Sequence, residues 1–273
     1  MTPPWLRAAA ASLAAAGIEA PLREARWIAA HVAGTDILGL MDGMAPEPAR
    51  FAALVARRAA REPLAYVLGE APFGDMMLAV SGATLIPRAD TETVLAAALA
   101  ARPAGNVRRV LDLGTGTGCL LLGALRACDG AFGVGVDVAA EACALARANA
   151  ARLGLGGRAA FICGDWAAAL QGRFDLVLSN PPYIPSADID GLMPEVARHE
   201  PRLALDGGAD GLNCYRDLLS ALPRLLAPGG RAVLELGAGQ AAMVSDLARR
   251  AGFATARRRD GGLHERALLL WRD

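Results

Sequence analysis

Val110-Leu111-Asp112-Leu113-Gly114-Thr115-Gly116-Thr117-Gly118 is an apolar run that stops at a carboxylate and breaks into alternating glycines. The run has the length and character of a buried strand. Glycine lets the backbone turn sharply and approach a ligand, because no Cβ intervenes. The residues that follow read as a helix, whose first amide groups have no partner inside it. Strand, glycine loop and helix in this order predict an open α/β sheet, which takes its ligand beyond the carboxyl ends of the strands.

Working outward, strand candidates fall at 107–113, 131–137, 159–164, 173–179, 230–236, 253–259 and 264–271, with helices at 117–127, 139–153, 211–226 and 241–251. Such alternation predicts a mostly parallel sheet covered on both faces. Asp260-Gly261-Gly262 is too short for a parallel crossover, so the last strand is expected to run antiparallel. Upstream, residues 1–70 carry only helical periodicity, through Trp5–Ala16, Leu22–Ala33 and Phe51–Ala60, and predict four or five helices with Asp36 capping one of them. Residues 71–88 read as a linking β-hairpin, Phe73–Val80 and Ala83–Ile86 about a turn at Ser81-Gly82, before a helix from about Asp90 to Ala101.

Four successive strand ends carry polar groups: Asp112 with its glycine loop, Asp137, Asp165-Trp166 and Asn180. In the form D-x-G-x-G-x-G, the loop Gly114 to Gly118 suits the amino-acid part of S-adenosylmethionine, with Asp112 orienting the loop or meeting the ammonium. Asp137, about twenty residues on, is where a carboxylate accepts both ribose hydroxyls. Asp165 can accept from the adenine amino group, and Trp166 offers a flat apolar wall. A nicotinamide fingerprint would put the third glycine one residue later.

Asn180-Pro181-Pro182-Tyr183 names the chemistry. An amide nitrogen is a poor nucleophile because its lone pair is delocalised. Two acceptors holding its N–H groups, the Asn180 side-chain oxygen and the Pro181 carbonyl, can turn that lone pair toward a methyl group. The prolines stiffen the loop, and Tyr183 gives a face for a planar acceptor. Methyl transfer from a sulfonium needs no metal, and positioning alone is worth about 7–11 kcal/mol.

These motifs, with Arg61-Glu62-Pro63-Leu64-Ala65-Tyr66, Leu85-Ile86-Pro87-Arg88-Ala89-Asp90-Thr91-Glu92 and Glu200-Pro201-Arg202-Leu203-Ala204-Leu205, resemble the release-factor glutamine methyltransferase family over nearly the whole chain. The resemblance implies a Rossmann-like class I methyltransferase fold at 89–273 behind a helical substrate-docking domain at 1–70. It implies that Asn180 to Tyr183 hold the substrate glutamine, and that Gly114 to Gly118, Asp137, Trp166 and Asn180 meet the cofactor. Ala89 departs from the family's usual second proline. Arg88 and Glu92 are expected either to form an ion pair at a helix start or to help close the site; residues 200–210 are expected to loop over the pocket. The tetrapeptide is shared with adenine-N6 DNA methyltransferases, and a non-catalytic cofactor-binding protein would not need it.

The chain has 273 residues and balanced charge, 28 positive against 28 negative, every cation an arginine. A neutral chain lacks the footprint of a general nucleic-acid binder, so no direct nucleic-acid target is expected. Seven arginines in residues 1–70, Arg7, Arg23, Arg26, Arg50, Arg57, Arg58 and Arg61, read as a positive bias for docking. Cys119, Cys128, Cys143, Cys163 and Cys214 form no C-x-x-C pair, and with three histidines no zinc pattern arises. His199, beside Pro201, reads as structural. No signal peptide or membrane span is read, and a cytoplasmic protein is expected.

Overall fold

The computed structural model describes residues 2–101, 107–168 and 170–272. Its contacts divide the chain into two units, one of residues up to Glu70 with Leu192–His199, the other of Ala71–Gly191 with Glu200 onward. No helix among the described residues is long and apolar enough to cross a membrane.

The first unit is helical: α1 (Pro4–Ala15), α2 (Pro21–Ala33), α3 (Ile37–Met41), α4 (Pro48–Ala59), α5 (Leu64–Leu68) and, from later in the chain, α9 (Pro194–His199). Four of these helices begin on proline, whose fixed φ and missing N–H suit a first turn. Gly34 ends α2 at φ +65°, and the Asp36 carboxylate caps α3 by accepting from the Gly39 amide at 2.9 Å. Leu6, Leu13, Ile28, Phe51, Val55 and Val67 form the core, with Trp5 edge-on to Phe51 at 5.3 Å.

The expected positive bias of this segment is absent: residues 1–70 carry seven carboxylates against the seven arginines, and Arg57, Arg58 and Arg61 are ion-paired within the unit. Arg58 is buried and pairs with Glu24 at 2.5 Å and Glu195 at 3.0 Å. Arg61 pairs with Glu195 at 2.7 Å, Arg57 with Glu62, and Arg23 stacks on Trp27. Glu24 and Glu62 stand in the same segment and a count of cations alone passes over them, whereas Glu195 lies more than a hundred residues downstream.

The second unit opens with a hairpin, β1 (Glu70–Phe73) and β2 (Met76–Ala79), earlier than expected. Gly74, at φ +56°, makes the turn with Asp75. Gly82 is not left-handed, and Ala83 to Pro87 run without a ladder. The predicted turn was misplaced because both Gly-containing dipeptides are flanked by apolar runs. Then follow α6 (Ala89–Ala101), β3 (Arg109–Leu113), α7 (Cys119–Ala127), β4 (Phe132–Asp137), α8 (Ala140–Arg152), β5 (Ala159–Cys163), β6 (Phe174–Ser179), α10 (Asn213–Leu225), β7 (Leu226–Glu235), α11 (Ala241–Arg250), β8 (Ala254–Arg259) and β9 (Glu265–Trp271).

The sheet order is β5-β4-β3-β6-β7-β9-β8, parallel except for β9, which runs antiparallel to β7 and β8. Val110, Leu176 and Leu178 feed the core on one face, Leu111, Leu113 and Val177 the core on the other, as two-sided burial demands. The order reverses beside β3: β4 lies on one side of it and β6 on the other. Register pairs Leu113 with Val136, Asp137 with Cys163 and Ser179 with Leu234, so the carboxyl ends of β3 to β7 form one row. That row is the crevice where open α/β sheets bind ligands.

Candidate active site

The glycine loop is held from beneath. The Gly114 and Thr115 amides both donate to the Val136 carbonyl at 2.9 Å. Asp112 is buried, and its Oδ2 accepts from the Thr115 hydroxyl at 2.8 Å and the Leu121 amide at 3.3 Å. Its Oδ1 has no partner among the described residues. Burial, with the Asp137 charge adding in the same direction, pushes this carboxyl up to about 7. An ammonium delivered to Oδ1 would supply the missing partner and restore the charged form. Gly114, Gly116 and Gly118 all have positive φ. A Cβ on Gly118 would meet Leu122 at 3.1 Å and Ala146 at 3.3 Å, so this glycine allows close packing of the helix that follows.

Asp137 closes the loop from the next strand. Its Oδ2 accepts from the Gly116 amide at 2.9 Å and its Oδ1 from the Ala139 amide at 3.0 Å. Each oxygen keeps a second lone pair for a hydroxyl donor. Trp166, held at φ +42°, brings its ring against Gly114, where a Cβ would lie 3.5 Å from it. Asp165 is exposed beside it. These groups surround a cavity of about 280 Å³ that Asn180 and Pro182 also line.

The structure therefore brings Gly114 to Thr117, Asp137, Asp165, Trp166, Asn180 and Pro182 to one cavity. Gly118, Pro181 and Tyr183 do not line it. Pro181 is buried in the loop. The Tyr183 hydroxyl donates to Glu235 at 3.4 Å, and its carbonyl accepts from the Gln240 amide group at 2.9 Å. Burial pushes the Tyr183 phenol up to about 12, so it stays protonated. The Asn180 Nδ2 donates to the Thr91 hydroxyl at 3.1 Å. Neither the Asn180 Oδ1 nor the Pro181 carbonyl accepts a hydrogen bond among the described residues.

Residues missed in the sequence include Thr84 to Pro87 and Cys214, which line the cavity. Pro201, Leu203, Ala204 and Asp206 also line it, as expected of a loop over the pocket. Asn149 was also missed: fully buried on α8, it bonds the Thr117 carbonyl at 3.0 Å and both backbone groups of Ala79, tying the loop to the hairpin. Arg88 pairs with Glu200 at 3.0 Å and not with Glu92, whose carboxylate accepts from the Gly74 amide at 2.9 Å. Burial raises the Glu200 carboxyl, against the pull of Arg88.

Residues 4–69 match the family model described as PrmC N-terminal domain, and residues 89–199 match the Methyltransferase small domain. The chain is 50% identical to a release factor glutamine methyltransferase of Rhodospirillum rubrum, covering 86% of this chain and 74% of that protein. It is 44% identical to one of Bradyrhizobium diazoefficiens, covering 88% and 84%. The chain belongs to the release factor glutamine methyltransferase family. Its expected Rossmann-like sheet is also that of a solved methyltransferase from Pyrococcus furiosus, at a TM-score of 0.53 and 19% identity over 71% of this chain and 87% of that one. Within the family frame, the N-terminal match ends just before the hairpin and the methyltransferase match begins at α6.

Proposed function

We propose that the chain transfers the methyl group of S-adenosylmethionine to the side-chain amide nitrogen (N5) of a glutamine in a peptide-chain release factor, giving N5-methylglutamine and S-adenosylhomocysteine. Family membership supports the substrate, and the paired free acceptors at Asn180 and Pro181 carry the chemistry. S-adenosylmethionine supplies an electrophilic methyl on a positively charged sulfur. The chain's part is to hold and align. Asp112 Oδ1 takes the ammonium, the loop Gly114 to Gly118 cups the amino-acid part, and Asp137 receives the ribose hydroxyls. Asp165 and Trp166 serve the adenine. The Asn180 oxygen and Pro181 carbonyl accept the two N–H groups of the glutamine amide, and Tyr183 offers a flat face to it. As the C–N bond forms, the amide nitrogen becomes positive and its N–H groups more acidic, so both acceptors bind more tightly there than in the ground state. The surplus proton leaves afterwards.

Asp137→Ala is expected to weaken S-adenosylmethionine binding by about 1.5–3 kcal/mol, the value of hydrogen bonds to a charged group. Calorimetry on the folded variant checks this, and unchanged affinity removes Asp137 from the site.

Residues 1–70 are the docking surface in this reading. One amide gives an enzyme little to discriminate, so selectivity needs a second contact. Linked contacts raise effective concentration, so the whole factor is expected to beat a short glutamine peptide by about 10²-fold in kcat/KM. Equal kcat/KM for peptide and factor would remove the docking role, and no turnover of either would remove the function. The cytoplasm, where release factors work, is the setting this activity requires. Adenine-N6 methylation shares the tetrapeptide, but the N-terminal family match favours the release factor.

A further inference from the structure

Glu235 ends β7 in the same row of strand termini as Asp112, Asp137 and Asn180, yet it does not line the cavity. It is 1% exposed, in a strand otherwise apolar from Ala232 to Leu234. A buried carboxylate is costly unless its hydrogen bonds repay it. Its Oε2 accepts the Thr91 hydroxyl proton at 2.6 Å, and its Oε1 faces the Tyr183 hydroxyl at 3.4 Å. Thr91, 2% exposed, in turn faces the Asn180 Nδ2 at 3.1 Å.

The order of donors in this chain is forced. A hydroxyl has one proton, and an ionised carboxylate can only accept. With the Thr91 proton committed to Glu235, the Thr91 oxygen can only accept from Asn180. Only the NH₂ end of the Asn180 amide satisfies it. The amide oxygen is thereby directed away from Thr91, as an acceptor without a partner. A flipped amide would set two acceptor oxygens against each other in a buried place, which costs more than the bond is worth.

We propose that Glu235 is a positioning residue for methyl transfer: through Thr91 it dictates which end of the Asn180 amide is offered to the acceptor glutamine, and through the Tyr183 hydroxyl it steadies the same loop. This rests on the proposed function. Burial pushes the Glu235 carboxyl up to about 7, against the Thr91 hydrogen bond, with Asp90 acting in the direction of burial and Arg88 against it. The other charged and titratable groups around it are Arg266 of β9, paired with Asp90, Tyr183 after β6, Tyr215 of α10 on its own carbonyl, and Cys119 of α7. Once protonated, Glu235 can donate to Thr91, whose own proton is then free to meet the Asn180 oxygen. The amide is no longer held one way round, so kcat falls as pH drops through about 7.

The test uses the full chain and its Thr91→Val, Thr91→Ser and Glu235→Gln variants. The readings are kcat and KM on a release factor, S-adenosylhomocysteine affinity, and the side-chain amide signals of ¹⁵N-labelled Asn180. Thr91→Val is expected to lower kcat about tenfold or more while KM and cofactor affinity stay within about threefold, and Thr91→Ser to restore turnover. Glu235→Gln, which presents either a donor or an acceptor to Thr91, is expected to lose the acid limb near pH 7. Turnover within about twofold of wild type in Thr91→Val, with unchanged Asn180 signals, overturns the relay. If Thr91→Val does not fold, Glu235→Gln decides alone: a retained acid limb overturns the proposal and a lost one supports it. A wild-type protein that leaves the release factor unmethylated fails the proposed function instead, and the response of the Asn180 signals to Thr91→Ser and Glu235→Gln still decides the relay.

Discussion

Asn180→Ala lowers kcat for release-factor methylation by about 10²–10³, the cost of removing one preorganised polar group aimed at developing charge. The loss should appear in kcat and kcat/KM alike, because the acceptor bond tightens only as the amide nitrogen turns positive. Cofactor affinity should fall far less than turnover, since Asn180 is one contact of the cavity and the glycine loop, Asp137 and Asp112 are untouched. The fold should persist as well: β6 is anchored to β3 by the Ser179 hydroxyl on the Leu113 carbonyl at 2.6 Å, one residue before the substitution. Asn180→Asp separates shape from charge, keeping an acceptor but adding a negative charge beside Thr91 and Glu235. It cannot donate to Thr91 when ionised, so it too should turn over slowly. Steady-state kinetics with a thermal unfolding curve for each variant make the check. An Asn180→Ala enzyme at close to wild-type rate would refute the alignment mechanism.

Arg58→Met destabilises the helical unit by about 3–5 kcal/mol, the usual cost of removing one partner from a buried ion pair. Its guanidinium joins Glu24 of α2 to Glu195 of α9 from a side chain only 7% exposed. Methionine keeps the stem and its packing but leaves Glu24 without its cation, while Glu195 retains Arg61. Burial alone would raise the Glu195 carboxyl, but Arg61 and Arg58 outweigh it and hold it below its ordinary value. A depressed carboxyl contributes stability above its unfolded pKa and loses it as pH falls through the folded value. The wild-type unit should therefore weaken on the acid side of the carboxylate range, and the variant less steeply. Hydrogen exchange of α1, α2 and α4 reads this unit apart from the sheet. Protection lowered by less than about 1 kcal/mol would show that the pair is worth no more than an exposed one.

Local rules made the strand ends legible. Asp112, Asp137, Asp165-Trp166 and Asn180 each interrupt an apolar run, and parallel register then carries them to one edge. Glu235 follows the same rule and could have been found by it, as the polar end of Ala232-Val233-Leu234. Its role could not, because the bond to Thr91 joins residues 144 apart. The arginines of the first unit show the same limit: Arg61 looks like a free cation until α9 supplies Glu195, which also reaches Arg58 beside Glu24. The hairpin failed for a local reason. Ser81-Gly82 and Gly74-Asp75 are both plausible turns, and only Gly74 adopts the positive φ that one of them needs. For Arg88 an ion pair with Glu92, four residues away, is one of two readings the sequence allows; the partner is Glu200, beside the cavity-lining loop.

The acceptor proposed for this enzyme is a glutamine amide of a release factor. It is tested most directly by giving the protein methyl-labelled S-adenosylmethionine with an unmethylated release factor and unmethylated DNA in the same tube, then locating the label by mass spectrometry. Label is expected on one glutamine side-chain nitrogen of the factor and none on DNA. Label on adenine N6, or an unlabelled factor from a protein that binds the cofactor, would contradict it.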